Sequence, residues 1–175
     1  YYLEEFQTLR EATAGENITI YINSGGGRVD TAVQMLAGIR NTAAKVTCVI
    51  EGCCHSAATY VFLAADEWIV NHNSLMLIHN YSGGAYELVD NVIANDKWVK
   101  NLMVDVYKGF LTEEELETVL LNQDLWLETD SINERLQNVV VLRQEAIQEH
   151  EDAMREEVKK KLKELSDEEP EGSPI

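Results

Sequence analysis

One serine in this 175-residue chain stands where a buried strand turns into an apolar helix. Segment 45–50 is apolar and β-branched, Gly52 lies in the turn after it, and Ser56 opens the helical stretch 56–65. Backbone N–H groups at a helix start lack partners within the helix and can donate to an anion. A serine there can expose its hydroxyl at the end of the sheet as a nucleophile. It can equally be a simple N-cap, and this segment alone leaves both roles open.

A second glycine-rich turn, Asn23–Gly27, follows a predicted strand and precedes a predicted helix. Glycines allow the backbone to approach a ligand closely, and their N–H groups can hold a phosphate or an oxyanion. A P-loop is excluded because no Gly-Lys-Ser/Thr follows, and the GxGxxG spacing of a dinucleotide site is absent. The turn by itself does not choose between the remaining ligands.

Histidines in the same region offer a general base. His79 ends a predicted strand, and open α/β sheets place their sites at the carboxyl ends of strands. His55 precedes Ser56 directly, and neighbours at a turn usually point apart, whereas His72 lies in a polar turn. His79 is therefore the preferred base for Ser56, although a structural role for it stays open. Asp124 is the preferred orienting acid, because Leu125-Trp126-Leu127 would anchor it to the core.

Metal chemistry is not predicted. Cys53, Cys54 and His55 are consecutive, adjacent residues rarely converge on one ion, and no second ligand pair follows at zinc spacing. The three cysteines are an odd number without a signal-peptide pattern, which favours reduced thiols in a cytosolic or organelle-matrix compartment. No cofactor is expected.

The elements that would position these residues alternate between strand and helix up to residue 78, which predicts βαβ units around a largely parallel sheet. The predicted helices are 2–12, 29–42, 56–65, 88–107, 112–121 and 142–165, with a further helical turn at 131–136. The predicted strands are 18–22, 45–50, 68–70 and 75–78. Segments 51–55, 80–86 and 122–130 are expected to be turns or loops, and Val139–Val141 is strand-like or leads into a helix. The end of the chain is expected to be a disordered tail.

Composition excludes several classes of partner. There are 14 Lys and Arg against 31 Asp and Glu, a net charge of −17, so no general basic surface exists for nucleic acid or anionic membrane. No apolar run approaches the roughly 18 residues of a membrane span. Residues 142–175 carry 11 acidic and 6 basic side chains and few large apolar ones. We interpret that segment as a solvated helix and tail, with an interaction element as the alternative.

Four segments in order resemble the motifs of the proteolytic subunit of the Clp protease (ClpP), a self-compartmentalising serine protease. They are Ile22–Gly27, Gly52–Ala58, Asn73–His79 and Asp124–Leu127, and the resemblance covers residues 1–141. It implies an α/β fold of the ClpP/crotonase type, with repeated ββα units, a protruding "handle" helix at 88–107 and an extra C-terminal helix. Residues 1–141 would be the protease domain, lacking the first strand and axial loop of the family, and 142–175 a charged helix and tail.

Carried over residue by residue, the resemblance implies that Ser56 is the nucleophile, His79 the base and Asp124 the orienting acid. The N–H groups of Gly27 and Ala57 would form the oxyanion hole. An extended substrate would lie along Gly26, Gly27, Arg28, Ser82, Gly83 and Gly84. The implied partners are polypeptide substrates, further copies of the chain in stacked heptameric rings, and an AAA+ unfoldase ATPase, in the cytoplasm of a bacterium or a phage-infected cell.

Three departures from the family pattern accompany the match. Gly25 replaces a proline, which predicts a looser turn; Ala57-Ala58 replaces Met-Gly, which predicts a larger first specificity pocket; and Asn80-Tyr81 replaces Gln-Pro. The alternatives left open are a phage capsid-maturation protease of the same fold, a crotonase-type acyl-CoA enzyme and a catalytically inactive ring subunit. A Ser/Lys dyad is disfavoured because no lysine stands at a strand end that would face Ser56.

Overall fold

The computed structural model describes residues 2–81 and 89–167, and the side chains of all of these except 89–93 and 164–167. The elements, in chain order, are α1 (Leu3–Glu11), β1 (Asn17–Ser24), α2 (Val29–Asn41), β2 (Lys45–His55), α3 (Ala57–Ala64), β3 (Glu67–Val70), β4 (Leu75–Ile78), α4 (Val89–Val106), α5 (Glu113–Leu120), β5 (Leu125–Glu128) and α6 (Thr129–Asp167). The predicted α/β class, the helix in the handle position and the extra C-terminal helix are confirmed.

The sheet is organised around β2, its longest strand. The order is β1-β2-β4-β5, and β3 pairs with the first half of β2 while β4 pairs with its last three residues. All pairings of β2 are parallel, as the strand–helix alternation predicted, and β5 closes the far edge antiparallel to β4. The carboxyl ends of β1, β2 and β4 therefore lie together at one end of the sheet, where an α/β fold places its site.

The sequence pattern was wrong at two places in the sheet. Segment 51–55, predicted as a turn, continues β2, because Cys53–His55 pair with β4 although Glu-Gly-Cys-Cys has little strand propensity. The predicted loop 122–130 contains β5, whose four residues gain strand geometry only by pairing with β4. Both errors come from partners that lie distant in the chain.

The predicted helical turn 131–136, Val139–Val141 and the charged helix 142–165 are one continuous helix, α6. Three consecutive valines favour strand locally, but Leu136 and Val139 are buried against the body of the fold, and this packing outweighs propensity. None of the helices within 2–81 and 89–167 is both long and apolar enough to cross a membrane.

Arg143 fixes α6 to the end of α3. Its guanidinium donates to the carbonyl oxygens of Ala65 at 2.7 Å and Leu63 at 2.8 Å, and it lies 4.6 Å from the ring centroid of Trp68. Carbonyl groups at the end of a helix receive no hydrogen bond from an N–H group within it, and the Arg143 guanidinium supplies the missing donors. The helix thus leaves the body of the protein at a defined point and direction.

Glu115 and Arg135 join α5 to α6 by a two-pronged ion pair, with N–O distances of 2.6 and 2.7 Å. Glu115 also completes a capping box with Thr112 at the start of α5. The Arg135 guanidinium, and after it the N–H of Thr112, lowers the pKa of Glu115 to about 2.

This ion pair predicts a pH dependence of stability. A carboxyl group whose pKa is lowered by folding stabilises the fold above its unfolded pKa, and that contribution is lost as the pH falls. We expect Glu115→Gln, which keeps an acceptor for the cap, to cost about 1–2 kcal/mol at pH 7, since water screens this partly exposed pair. The difference from the unsubstituted chain should shrink between about pH 5 and pH 2 in urea unfolding. A difference that stays constant over this range would contradict the prediction.

Candidate active site

Ser56 occupies the single residue between β2 and α3. Its N–H donates to the carbonyl oxygen of Leu77 on β4 at 2.8 Å, which holds the turn to the neighbouring strand. Its backbone has φ 54° and ψ −129°, which lies outside the left-handed helical region and is a conformation that few residues other than glycine adopt. Strain of this kind costs on the order of 1–3 kcal/mol and concentrates at active sites. The turn is a sharp strand-to-helix elbow with a serine at its apex.

A buried chain of hydroxyl groups supports the elbow from beneath. The carbonyl oxygen of Ser56 accepts from the N–H of Thr59 at 2.9 Å and from its hydroxyl at 2.6 Å. Because that hydroxyl has one proton, the phenol of Tyr107, 2.6 Å away, must donate to it. Burial raises the pKa of Tyr107 well above its ordinary value, so the phenol stays protonated. Tyr107, the residue that follows α4, thereby helps to position the residue at the elbow.

Gly26 packs directly against the elbow. Its φ is +97°, and a Cβ at this position would lie 2.7 Å from both the carbonyl oxygen of His55 and the Cβ of Ser56. The side-chain oxygen of Ser24 accepts from the Gly26 N–H at 3.1 Å and holds the turn closed. Gly25 and Gly27 have no such restriction, since a Cβ at either would meet nothing within 4 Å. Of these three glycines, only Gly26 lies where a side chain would clash with its neighbours.

A cavity of about 660 Å³ opens in front of Ser56. The first residues after β1, the start of α3, the segment after β4 and the middle of α4 form its walls. The residues that matter for chemistry are Ser56, His79, Gly27 and Ala57, and all four line it. Ala57 is the first residue of α3, so its N–H has no acceptor within the helix. The structure therefore brings the predicted nucleophile, base and oxyanion donors to one cavity.

The imidazole of His79 is held in one tautomer. Its Nδ1 lies 2.6 Å from the carbonyl oxygen of Asn80. A carbonyl can only accept, so Nδ1 carries a proton, and in the neutral imidazole Nε2 then keeps its lone pair. This is the tautomer that a general base requires. Sequence reasoning did not identify Asn80 in this role.

Asp124 lies beside His79 in sheet register but is not hydrogen-bonded to it in this structure. The last residue pair of the β4–β5 ladder is Ile78 with Leu125, so His79, which directly follows β4, and Asp124, which directly precedes β5, lie at the same end of the ladder. Asp124 is exposed and has no hydrogen bond or ion pair within the described part of the chain. The side-chain N–H₂ group of Asn80 donates to Asn122 at 2.9 Å and to the Leu120 carbonyl at 3.0 Å, which ties the two segments together.

The anchor expected from the residues after Asp124 is only partly present. Leu127 is buried, whereas Trp126 is 52% exposed. The Trp126 ring instead packs edge-on against His55, with centroids 5.4 Å apart. His55 accordingly packs on Trp126 and is not among the residues that line the cavity with His79.

The remaining predicted site residues fall into two groups. Gly26 and Arg28 border a second cavity, also about 660 Å³, which Ala57 and Ala58 line together with Met35 and Val61, and Arg28 also lines the first. Ser82, Gly83 and Gly84 lie outside the described residues. In the described ranges no three His, Cys, Asp or Glu side chains are grouped so as to hold a metal ion, and the three cysteines are free thiols.

The chain matches the Clp protease family over residues 2–131, about three-quarters of its length. It therefore belongs to that family and is a ClpP-like peptidase. Among solved structures, ClpP1 from Listeria monocytogenes is 23% identical with a TM-score of 0.57, and a point mutant of that protein is 22% identical with a TM-score of 0.58. Each match covers 70% of this chain and 71% of the other. A search of curated proteins found no match.

Proposed function

We propose that this protein is a serine endopeptidase that cleaves extended polypeptides through an acyl-enzyme on Ser56. One observation carries the proposal: a serine with φ 54° at the start of α3 shares a cavity with a histidine whose Nε2 is free to accept a proton. A structural N-cap has no need of this backbone conformation, since an ordinary N-cap is extended. Membership of the Clp protease family supports the same reaction.

The proposed reaction follows from the roles of four groups. His79 Nε2 takes the proton of the Ser56 hydroxyl as Oγ attacks the peptide carbonyl carbon. The N–H groups of Gly27 and Ala57 donate to the oxyanion that forms. The imidazolium then protonates the leaving amine, the peptide bond breaks, and an acyl ester remains on Ser56. Water activated by His79 hydrolyses this ester and restores the hydroxyl.

Asp124 is proposed to orient His79 when substrate is bound. The β4–β5 register brings the two residues to neighbouring positions, and the Asn80–Asn122 hydrogen bond holds the segments that carry them. An acid at this place would replace the Asn80 carbonyl as acceptor of the Nδ1 hydrogen bond and would stabilise the imidazolium by its charge. Apo geometry often leaves such hydrogen bonds unformed.

The substrate is proposed to bind as an added strand along Gly26, Gly27 and Arg28, with Ser82, Gly83 and Gly84 on its other side. β1 is an edge strand of the sheet, and the first three of these residues follow its carboxyl end, where Gly26 packs against Ser56. The second cavity, lined by Ala57, Ala58, Met35 and Val61, lies beside this path and offers space for an apolar substrate side chain.

The assembly is proposed by family resemblance. Copies of the chain would form two heptameric rings that enclose a chamber, and the rings would stack through the α4 handle. The assembly would lie in the cytoplasm, where an AAA+ unfoldase would supply unfolded substrate. A native mass measurement distinguishes such rings from the trimers of a crotonase-type enzyme.

Covalent labelling tests the proposed nucleophile. A fluorophosphonate should phosphonylate the assembled protein with loss of fluoride, and peptide mass spectrometry should locate the adduct on Ser56. His79→Ala should slow labelling by about 100-fold or more, because the serine loses its base. His55→Ala is the matched control, since that ring packs on Trp126, and it should label within about tenfold of the unsubstituted chain.

Two results would contradict the proposal. An adduct on another residue would remove Ser56 as nucleophile. An assembled protein that neither labels nor cleaves short fluorogenic peptides would instead support the inactive ring subunit.

A further inference from the structure

The apolar face of α6 continues beyond the body of the protein. Leu136 and Val139 are buried on the body side, and Arg143 makes the last described contact with α3. Further along the helix, four large apolar side chains are 53–61% exposed. They are Ile147, Met154, Val158 and Leu162.

These four residues, here called the α6 stripe, lie on one face of the helix. Their separations of seven, four and four residues match the period of an α-helix, so they form a continuous line about 22 Å long. The other residues of this segment are mostly charged, as on a solvated helix. An apolar line on an otherwise charged helix is the pattern of a helix that packs on one partner helix.

Charge is divided along the same segment. Residues 143–153 carry four acidic side chains against one basic, a net of −3, and residues 155–165, the equal length beyond Met154, carry five basic against three acidic, a net of +2. Several of these charges also pair within the helix, such as Lys159 with Glu156 and Lys161 with Glu157. The opposite net charges of the two halves remain whatever the pairing within one helix.

We propose that the α6 stripe pairs with the α6 stripe of a second copy of this chain, with the two helices antiparallel. The antiparallel arrangement lays each −3 half over a +2 half, whereas a parallel one would place like charges together at both ends. Packed helix axes lie about 8–10 Å apart, roughly one screening length at physiological salt, so this difference is felt across the pair. A second copy of the chain necessarily carries the same two oppositely charged halves, whereas a partner with an unrelated sequence need not.

The stripe also has the register that such a pair needs. With the two Met154 side chains meeting at the centre, Ile147 lies about 10 Å before it and Leu162 about 12 Å after it. Ile147 of one copy therefore packs near Leu162 of the other. The Arg143 anchor holds the helix in a fixed direction from the body, which lowers the entropy lost when the pair forms.

Disulfide crosslinking of the full chain tests both the partner and the direction. An Ile147→Cys chain is mixed with a Leu162→Cys chain that carries a size tag, and the mixture is oxidised mildly. We expect mixed-size dimers to exceed either same-size dimer by about tenfold, because only the antiparallel pair brings these positions together. The unsubstituted chain measures any bridge through Cys53, the one partly exposed native thiol among the described residues.

A pair of charge-matched variants checks that the stripe carries the contact. Met154→Glu, added to both crosslinking chains, should lower the yield of mixed dimers by about tenfold or more, since it puts two charges at the centre of the contact. Ala153→Glu adds the same charge one residue away, rotated by about 100° from Met154 and off the stripe, and should leave the yield within about twofold. Same-size dimers in excess, no dimers, or equal effects of the two substitutions would each overturn the proposal. Each of these outcomes is measured as a yield of crosslinked dimers, which does not depend on peptidase activity.

Discussion

Replacement of Ser56 by alanine is expected to lower the rate of peptide hydrolysis by at least about 1,000-fold, with the assembly intact. The hydroxyl oxygen is the atom that forms the acyl bond, and no cysteine, threonine or second serine lines the described part of that cavity beside His79. Hydrolysis of a fluorogenic peptide and native mass should be measured on the same sample. Undiminished hydrolysis would require another catalytic group.

A second substitution at the same position separates chemistry from strain. Ser56→Gly removes the nucleophile as completely as Ser56→Ala, but it also relieves the positive φ of 54°. The glycine variant should therefore be equally inactive and more stable than the alanine variant by about 1 kcal/mol, or about 2–4 °C in melting temperature. An alanine variant of equal or greater stability would show that the elbow is not strained.

The fold was predictable where local pattern and tertiary role agree. The strand Ile18–Ile22 and the handle at 88–107 carry the periodicity of the element that they form, and the helix 56–65 is mostly apolar and buried. The prediction was wrong at β5 and at the end of β2, because both segments depend on pairing with β4. It also divided α6 into three parts, since the burial of Val139 that keeps its valines helical is invisible in the local pattern.

The candidate site was predictable in its residue types but not in its support. Ser56 and His79 follow strand ends, and the parallel pairing of β2 with β4 brings them to one cavity. The hydroxyl chain through Thr59 and Tyr107 joins residues 48 positions apart, and no spacing rule indicates such a contact. Thr59 lies in a mostly apolar helix, and nothing in the local sequence indicates that its hydroxyl bonds to Ser56 and Tyr107.

The glycine turn supplies the second prediction with a large effect. Gly26→Ala places a methyl group 2.7 Å from the His55 carbonyl oxygen and from the Ser56 Cβ, and 3.3 Å from the Ala57 nitrogen. None of these atoms is the end of a flexible side chain, so the backbone must move. The positive φ of 97° adds a cost of its own. We expect a loss of about 2–5 kcal/mol in the free energy of unfolding.

The same clash should also lower the rate of peptide hydrolysis. Gly26 touches the nucleophile elbow and lies next to Gly27, a proposed oxyanion donor, so a shift of either segment separates groups that must act together. A displacement of about 1 Å can cost about 100-fold in rate, and we expect at least that loss in peptide hydrolysis at a temperature where the variant is folded.

Gly25→Ala provides the matched control for this prediction. It changes the adjacent residue in the same way, but its methyl group would meet nothing within 4 Å and its φ is not in the left-handed region. The free energy of unfolding should change by less than about 1 kcal/mol, and hydrolysis should stay within about tenfold of the unsubstituted chain. If Gly26→Ala matched Gly25→Ala in both measurements, the close packing of this turn on Ser56 could not be what positions the nucleophile. A loss confined to Gly26→Ala would instead show that a missing side chain at the exit of β1 sets the geometry of the elbow.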